Sequence, residues 1–496
     1  MLLRHGLVDL GDGQFGPADI LVADGRITSV ARHLDAAVDE AVVDCSGLLV
    51  VPGMVNAHAH SNENWFRGLF DSLPLELWEL GTYPVFEGPA QSKREVYVRT
   101  LLSGMELVRS GATCVADFLY ELPGLSLASL EPVVHAYRDL GLRALIVLGI
   151  GDRPFRETIE MDVGALEPDL ARRLEDETPP TWAELEVLIR EAVRAYHRPE
   201  DGVALAAGPS GPQRCTDQML EALPGLAGEL DLRIHTHLLE TRMQAVVGAR
   251  LYGCTVPEHL REIGFLGERV SLAHGIWLTS SDIRLVADSG AAVVHNPLSN
   301  LKLGSGVCPV PAYLAAGVPL ALGTDGSASA DGVDMFLTLR MAALQHTLWG
   351  EDHERWPRAA DAWQMATQGG AVALGDQHLG RIAEGSRADI ALLDLGSRFF
   401  TPLNDPLYHL VFSGASEAVD SVMIGGRWVL RKGILTTVDE PAILAEAREL
   451  AEGVVARHTT AFAEGARLHE AVRQGWLRAL HHDVSASRFI GGAFDA

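Results

Sequence analysis

Within Val55-Asn56-Ala57-His58-Ala59-His60 two histidines stand at i and i+2, so on a strand both rings project from one face and can hold a metal ion from one side. Taken alone, such a pair is a common coincidence. Ligand-type residues recur, however, at three further places where an apolar run gives way to a helical one. These are His237 with Glu240 three residues on in HTHLLET, His274 in VSLAHGIW, and Asp325 followed by Gly326 in LALGTDG. Imidazole nitrogens and carboxylate oxygens bind divalent ions and move protons near neutral pH. Their recurrence at four β-to-α junctions predicts a metal-assisted reaction at the ends of a set of strands.

The elements that must position these residues are short apolar strands alternating with helical stretches over residues 54–375: GATCVADF, LRALIVLGI, GVALAAGPSG, LRIHTHLLE, RVSLAHGIW, AAVVHNP and VPLALGTDG. Repeated βα units imply a parallel sheet, either doubly wound or closed as a barrel, in which strand ends converge on one face. Residues 1–53 read instead as β material, with Asp24-Gly25 as a hairpin turn, and residues 376–435 return to that pattern in GRIAEGSRADIALLDL and AVDSVMIGGRWVLRKG. The simplest arrangement pairs both chain ends into one small β domain beside the main one. Residues 436–496 carry a helical pattern and form a C-terminal extension.

At 496 residues the chain can bury a large core, and 47% hydrophobic with 21% charged residues places it among globular enzymes rather than disordered chains. A formal charge of −26 repels polyanions, which argues against nucleic acid as a partner. No apolar run reaches the ~18 residues of a membrane span, and no signal-like stretch opens the sequence, so a soluble cytoplasmic protein is expected. Five cysteines without a CxxC pair fit a reducing compartment and give no indication of thiolate–zinc chemistry.

PGMVNAHAH, WFRGLFDSLPLELW, HTHLLET, HNPLSNLKLGSG, GTDG, ATQGGAVALG and GRIAEGSRADIALLDL resemble, in the same order, segments of the amidohydrolase superfamily. The similarity is to the branch of cytosine, guanine and S-adenosylhomocysteine deaminases and s-triazine hydrolases of the atrazine chlorohydrolase type. It runs from Leu3 to about Gly433. It implies an α/β fold, a (β/α)8 TIM barrel with a small β-sandwich domain built from both chain ends. It also implies that His58, His60, His237 and Asp325 hold one divalent metal, zinc or iron, that leaves a position open for a water of lowered pKa. His237 rather than His235 is the implied ligand, because only His237 stands three residues before Glu240. Asp325 would also take a proton from the water.

Glu240 and His274 complete a deaminase. A ring nitrogen must gain a proton as the ring is attacked and the departing amine must gain another, which Glu240 can supply, while His274 can polarise the attacked centre or orient the attacking oxygen. The resemblance places Trp65, Arg67, Trp78 and Glu87 in a substrate wall after the first strand, and His295, with Asn296, Pro297 and Asn300, at the seventh strand end. It also shows two departures. Ser210, Gln213 and Arg214 stand where adenosine-type relatives carry a His and a Tyr-Thr pair, which suits a compact acceptor-rich ring or an anionic group better than a nucleoside. Asp331 follows where an Asn pair is common, and is expected to cap a helix.

The expected activity is hydrolytic deamination of a purine, pteridine, pyrimidine or triazine by a homo-oligomer acting on free small molecules. The alternatives are removal of chloride or alkylamine from a triazine, or cleavage of an amide, carbamate or urea, on the same site. A non-catalytic scaffold is disfavoured, because such proteins lose ligands and here every ligand position is filled.

Overall fold

The computed structural model describes residues 1–38, 40–86, 88–349 and 352–489. At the start of the chain, β1 (Leu2–Asp9), β2 (Phe15–Ala23) and β3 (Arg26–Ala31) form an antiparallel meander. Asp24 and Gly25, at φ 50° and 73°, make the two-residue turn between β2 and β3, the mirror-image type that matches strand twist. β4 (Val42–Asp44) and β5 (Leu48–Pro52) run parallel to β1.

A second sheet begins two residues after β5. It contains β6 (Met54–His60), β7 (Ala112–Leu119), β8 (Arg143–Ile150), β9 (Val203–Pro209), β10 (Arg233–Leu238), β11 (Val270–His274), β12 (Ala292–His295), β13 (Leu320–Leu322) and β14 (Asp325–Gly326). Every neighbouring pair is parallel. β13 pairs with β12, and β14, after only Gly323 and Thr324, pairs with β6, so the sheet closes on itself. Parallel strands with both faces covered read as continuous apolar runs, and all eight residues of β7 are buried.

Helices such as Lys93–Arg109, Trp182–Tyr196 and Ser280–Ser289 return the chain between strands. Their starts are written in capping boxes: Ser92 with Glu95, Thr181 with Glu184, Thr279 with Asp282. One apolar cluster, including Val55, Ala57, Phe118, Val147 and Val294, fills the inside of the closed sheet. A larger one, including Leu107, Tyr137, Ile189 and Leu223, lies between sheet and helices.

After the barrel, β15 (Ile390–Asp394), β16 (Val419–Ile424), β17 (Arg427–Arg431) and β18 (Ile434–Leu435) return to the first sheet. The five residues of β15 pair antiparallel with β5. The two chain ends therefore meet edge to edge, and where a sandwich of two sheets is expected the pairings link all nine strands in one mixed sheet. Helices Glu440–Ala466 and His469–His481 follow, and both pack against the short helix Leu75–Thr82 beside the strand ends. No helix among the described residues is long and apolar enough to cross a membrane.

Beside the β14–β6 pairing, a buried side-chain link supports the closure of the parallel sheet. Asn56 Nδ2 donates to Thr324 Oγ1 at 2.7 Å and Thr324 N donates to Asn56 Oδ1 at 3.0 Å, with both residues fully buried. Replacing Asn56 by Ala leaves a buried amide N–H unmet, a loss of about 1–3 kcal/mol. Asn56→Ala is expected to lower the denaturation midpoint accordingly, and an unchanged midpoint in urea would remove this pair from the account of closure.

Candidate active site

Register brings the predicted residues to one level. Asp325 pairs with Ala59 and Gly326 with His60, while His237 and Leu238 pair with Ala273 and His274. Three residues there leave the usual backbone regions: His274 at φ 71°, Asp325 at φ 65° and Leu239, next to Glu240, at φ 47°. Non-glycine residues adopt positive φ at a cost, and such strain concentrates where side chains are forced into a site.

Each of the three candidate imidazole ligands has one nitrogen tied to the scaffold. His60 Nδ1 donates to Phe118 O at 2.7 Å and His237 Nδ1 to Ser210 O at 2.8 Å. His58 Nδ1 lies 2.8 Å from His235 Nε2, whose own Nδ1 is 2.7 Å from Ser271 Oγ, so His235 supports His58 from behind. These partners fix the tautomers and turn the three Nε2 atoms inward. His58 Nε2 is buried with no hydrogen-bond partner among the described residues. His60 and His237 Nε2 face each other at 3.3 Å, and Asp325 Oδ1 lies 3.6 Å from His58 Nε2 and 3.3 Å from His60 Nε2. Nitrogen and oxygen lone pairs gathered this closely are repulsive unless a cation or a shared proton lies among them, and the spacings suit metal–ligand bonds of about 2.0–2.2 Å. The donor set fits a divalent metal.

His274 Nε2 stands 3.5 Å from Glu240 Oε2 and 3.8 Å from Asp325 Oδ2, so both proton-handling candidates adjoin the ligand set. A narrow cavity of about 50 Å³ opens from it, lined among others by Trp78, Ser210, Gln213 and Arg214 from the sequence reading. Ser210 Oγ already bonds Tyr120 Oη at 2.7 Å, and Arg214 is ion-paired with Glu79. The other wall candidates lie elsewhere. Trp65 is packed in the core, Arg67 binds Glu106 and Asp331 O, and His295 is buried against Gln345 behind the site. Glu87 lies outside the described residues. Asp331 caps no helix; it accepts from Gly68 N and pairs with Lys302, while Asp334 caps the helix Met335–Leu344.

Sequence reasoning missed Glu63, Tyr83, Tyr120 and Glu79, which also line the cavity. Glu63 accepts from Tyr83 Oη at 2.8 Å and from the backbone N–H groups of Ala328 and Ser329 at 2.9 and 3.0 Å, tying β6 to the loop after Asp325. A Cβ on Gly326 would lie 1.9 Å from the Glu63 carboxylate, so only glycine fits there. The signal was present: Glu63 stands three residues after His60, the spacing that singled out Glu240 after His237.

Residues 49–429 match the profile of the Amidohydrolase family. The chain belongs to that family. It is 34% identical, over 92% of its own length and 99% of the relative's, to the 5′-deoxyadenosine deaminase of Methanothermobacter thermautotrophicus. To the 8-oxoguanine deaminase of Pseudomonas aeruginosa it is 33% identical, over 88% of this chain and 95% of the relative. Among solved structures, atrazine chlorohydrolase from Arthrobacter aurescens TC1 complexed with zinc superposes with a TM-score of 0.82 at 27% identity, covering 91% of this chain and 99% of that one. An adenosine deaminase from Xanthomonas campestris with bound zinc gives 0.80 at 30% identity, covering 92% and 98%.

The electrostatics of this amidohydrolase follow from burial and crowding. Burial pushes His58 and His237 well below the usual imidazole range, and the charge on His60 adds to it. Burial opposes the charge on His60 too, yet its bond to Asp325 and that carboxylate's charge raise its pKa. Burial likewise works upward on Asp325, but the bond to His60 and the His274 and His60 charges hold it well below the usual carboxylate range. Burial drives Glu240 well up, with the Asp325 and Glu76 charges acting the same way. Burial lowers His274.

A metal entering the metal-free amidohydrolase at neutral pH must therefore displace the His60 proton. Because that pKa is raised, the competition spans neutral pH and strengthens as pH falls, so apparent affinity should weaken about tenfold per pH unit across that range. Calorimetric zinc titration in buffers of different ionisation enthalpy should show about one proton released per metal. Binding without proton release would contradict the His60–Asp325 pairing.

Proposed function

We propose that this amidohydrolase is a hydrolytic deaminase of a compact aminated N-heterocycle, using one divalent metal, zinc, held by His58, His60, His237 and Asp325. The observation that carries the reading is the pair of proton-handling groups beside the ligand set. Burial, with the Asp325 and Glu76 charges acting the same way, raises the Glu240 pKa well above the usual carboxylate range and so favours the protonated acid, and its carboxyl stands 3.5 Å from His274, whose pKa burial lowers. Zinc in two structural relatives supports the metal. Bound there, it would supply Lewis-acid activation of water and of the attacked ring.

The residues then divide the proton traffic. Water adds its oxygen to the ring carbon and gives one proton to Asp325, while Glu240 protonates the adjacent ring nitrogen. The Asp325 proton passes to the amino group, the C–N bond breaks and ammonia leaves. The new hydroxyl gives its proton to Glu240 as it becomes a carbonyl, and both carboxyls are restored. His274 donates through Nδ1 to Asn300 Oδ1 at 2.9 Å, which leaves its Nε2 as an acceptor able to orient the attacking water.

Compactness is supported by Ser210 and Arg214, whose polar groups are already engaged by Tyr120 and Glu79. Trp78 offers a buried indole N–H with no partner among the described residues, a donor for a ring nitrogen or carbonyl. The five cysteines are all free, which supports a reducing, cytoplasmic setting. The division of the chain at 53/54, 375/376 and 435/436 belongs to the same proposal.

The structural similarity to atrazine chlorohydrolase supports a second reading, release of chloride or alkylamine from a triazine. Ammonia assays on zinc-reconstituted protein with purines, pteridines, pyrimidines and triazines separate the two. Glu240→Gln is expected to retain the metal and lose about 100-fold or more in kcat, whereas His58→Ala and Asp325→Ala should lose metal and turnover together. Retention of most of the rate by Glu240→Gln would transfer support to a leaving group that needs no proton. A buried ribose hydroxyl without a partner costs about 1–3 kcal/mol, so free heterocycles should exceed adenosine derivatives by about tenfold in kcat/KM. A tenfold preference for the nucleoside would overturn the reading of Ser210.

A further inference from the structure

We propose that the C-terminal end of the chain, through Arg488, is a positioning element of the active site that holds Glu240 and His274 in their working arrangement. The proposal rests on the roles given to those two residues above. It starts from the backbone just beyond them. After His274 the chain folds back over the end of β10: Gly275 N donates to Leu238 O at 3.0 Å, and Ile276 N and Trp277 N donate to Leu239 O at 3.2 and 3.0 Å. The residue preceding Glu240 and the residues following His274 are thus one hydrogen-bonded unit. Leu239 and His274 both hold positive φ within it, so the unit is strained and needs support from outside.

That support comes from more than two hundred residues away. The Arg488 guanidinium donates through Nε to Ile276 O at 2.7 Å and through Nη2 to Leu278 O, bridging two carbonyls of the fold-back. The backbone of the same residue takes hold of a second segment, since Val307 N donates to Arg488 O at 2.8 Å. Two residues before Val307, Ser305 donates its hydroxyl to Glu240 Oε1 at 3.2 Å and receives Trp277 Nε1 on its carbonyl at 2.7 Å. Phe489 packs edge-on against the Trp277 ring, with centroids 5.1 Å apart, and the Arg242 guanidinium lies 5.5 Å from the centre of the same ring while bonding His482 O. One residue of the tail therefore joins the segment that carries His274 to the segment that bonds Glu240. A planar guanidinium can span two carbonyls in fixed geometry, which a single-point ammonium cannot.

No carboxylate pairs with Arg488 among the described residues, so its charge is held by carbonyl dipoles. Loss of the side chain would free the 275–278 carbonyls directly and, because the guanidinium is what pins the tail, would let the Arg488 carbonyl move off Val307 N and loosen the second segment, without touching the candidate metal ligands. The consequence is on turnover and not on metal loading: Glu240 would sample positions in which its proton misses the substrate.

The experiment compares Arg488→Ala and Arg488→Lys with the wild type, all zinc-reconstituted. Amide hydrogen exchange of peptides spanning 275–278 and 303–308 is read together with kcat, KM, metal content and melting temperature. For Arg488→Ala we expect exchange to rise about tenfold in both segments and kcat to fall about tenfold, with KM within about twofold and one metal retained. Arg488→Lys should recover part of both, because it can still meet one carbonyl. Faster exchange with unchanged kcat would show a purely structural tie and overturn the proposal, as would unchanged exchange at 303–308. So would a loss of kcat that tracks metal loss or a lowered melting temperature, or a lysine variant no better than alanine. The kinetic arm uses whichever leaving group the wild type releases. The exchange arm needs no substrate, so a failure of the deaminase reading leaves the clamp decided on its own evidence.

Discussion

Three imidazole nitrogens and one carboxylate oxygen converge in a closed interior: His60 Nε2 lies 3.3 Å from both His237 Nε2 and Asp325 Oδ1, and His58 Nε2 lies 3.6 Å from Asp325 Oδ1. In a low-dielectric site such a crowd of lone pairs is tolerable only around a cation or a shared proton. The surrounding structure answers that constraint. Each imidazole is held by its second nitrogen, on Phe118 O, Ser210 O or His235, so no ring can rotate away from the centre. The supporting groups come from β7, from the residue just beyond β9 and from the middle of β10, which makes the closed parallel sheet itself the device that aims the candidate ligands.

The same interior also accumulates carboxyls. Glu63, Glu76 and Glu240 are buried near Asp325, and burial raises the pKa of all three, Glu76 to about 7. Only Asp325, in contact with the imidazole group, is held low. Two kinds of carboxyl result from one principle: cationic neighbours favour the ionised form of Asp325, which suits it to accept a proton, and burial with anionic neighbours favours the protonated form of Glu240, which suits it to donate one. Glu63 takes a third part, satisfied by backbone N–H groups of Ala328 and Ser329, where it fixes the loop leaving Asp325.

Parts of the chain remote from the metal ligands frame this centre. The β sheet of both chain ends is anchored to the barrel through β5, which leads into β6 after Gly53. Helices Glu440–Ala466 and His469–His481 cover the short helix Leu75–Thr82, whose Trp78 and Glu79 form a cavity wall. The fold thus treats the wall of the cavity as a separate layer, packed from outside by the extension, while the ligands belong to the strands.

How much of this was legible beforehand can be judged residue by residue. His58, His60, His237, Glu240, His274 and Asp325 were readable because each stands at the end of an apolar run, where local spacing alone fixes its face and its level in a parallel sheet. The pairing of the two chain ends was readable from their matching β patterns, but not that β5 and β15 would join them into one sheet, since edge pairing depends on which strands the barrel leaves unpaired. Glu63 shared the spacing of Glu240 and was overlooked for want of a reason to prefer it; its backbone partners lie 265 and 266 residues away. Trp65 and Trp78 are both aromatic residues after β6 that pack in the core, and only tertiary structure decided that the second also reaches the cavity. Arg488 carried no local signal at all. The sequence by itself determined which candidate ligand types stand at which strand ends, because these are set by neighbours along the chain. Tertiary structure alone decided which polar groups surround them, because hydrogen bonds and burial across hundreds of residues exist only once the sheet has closed.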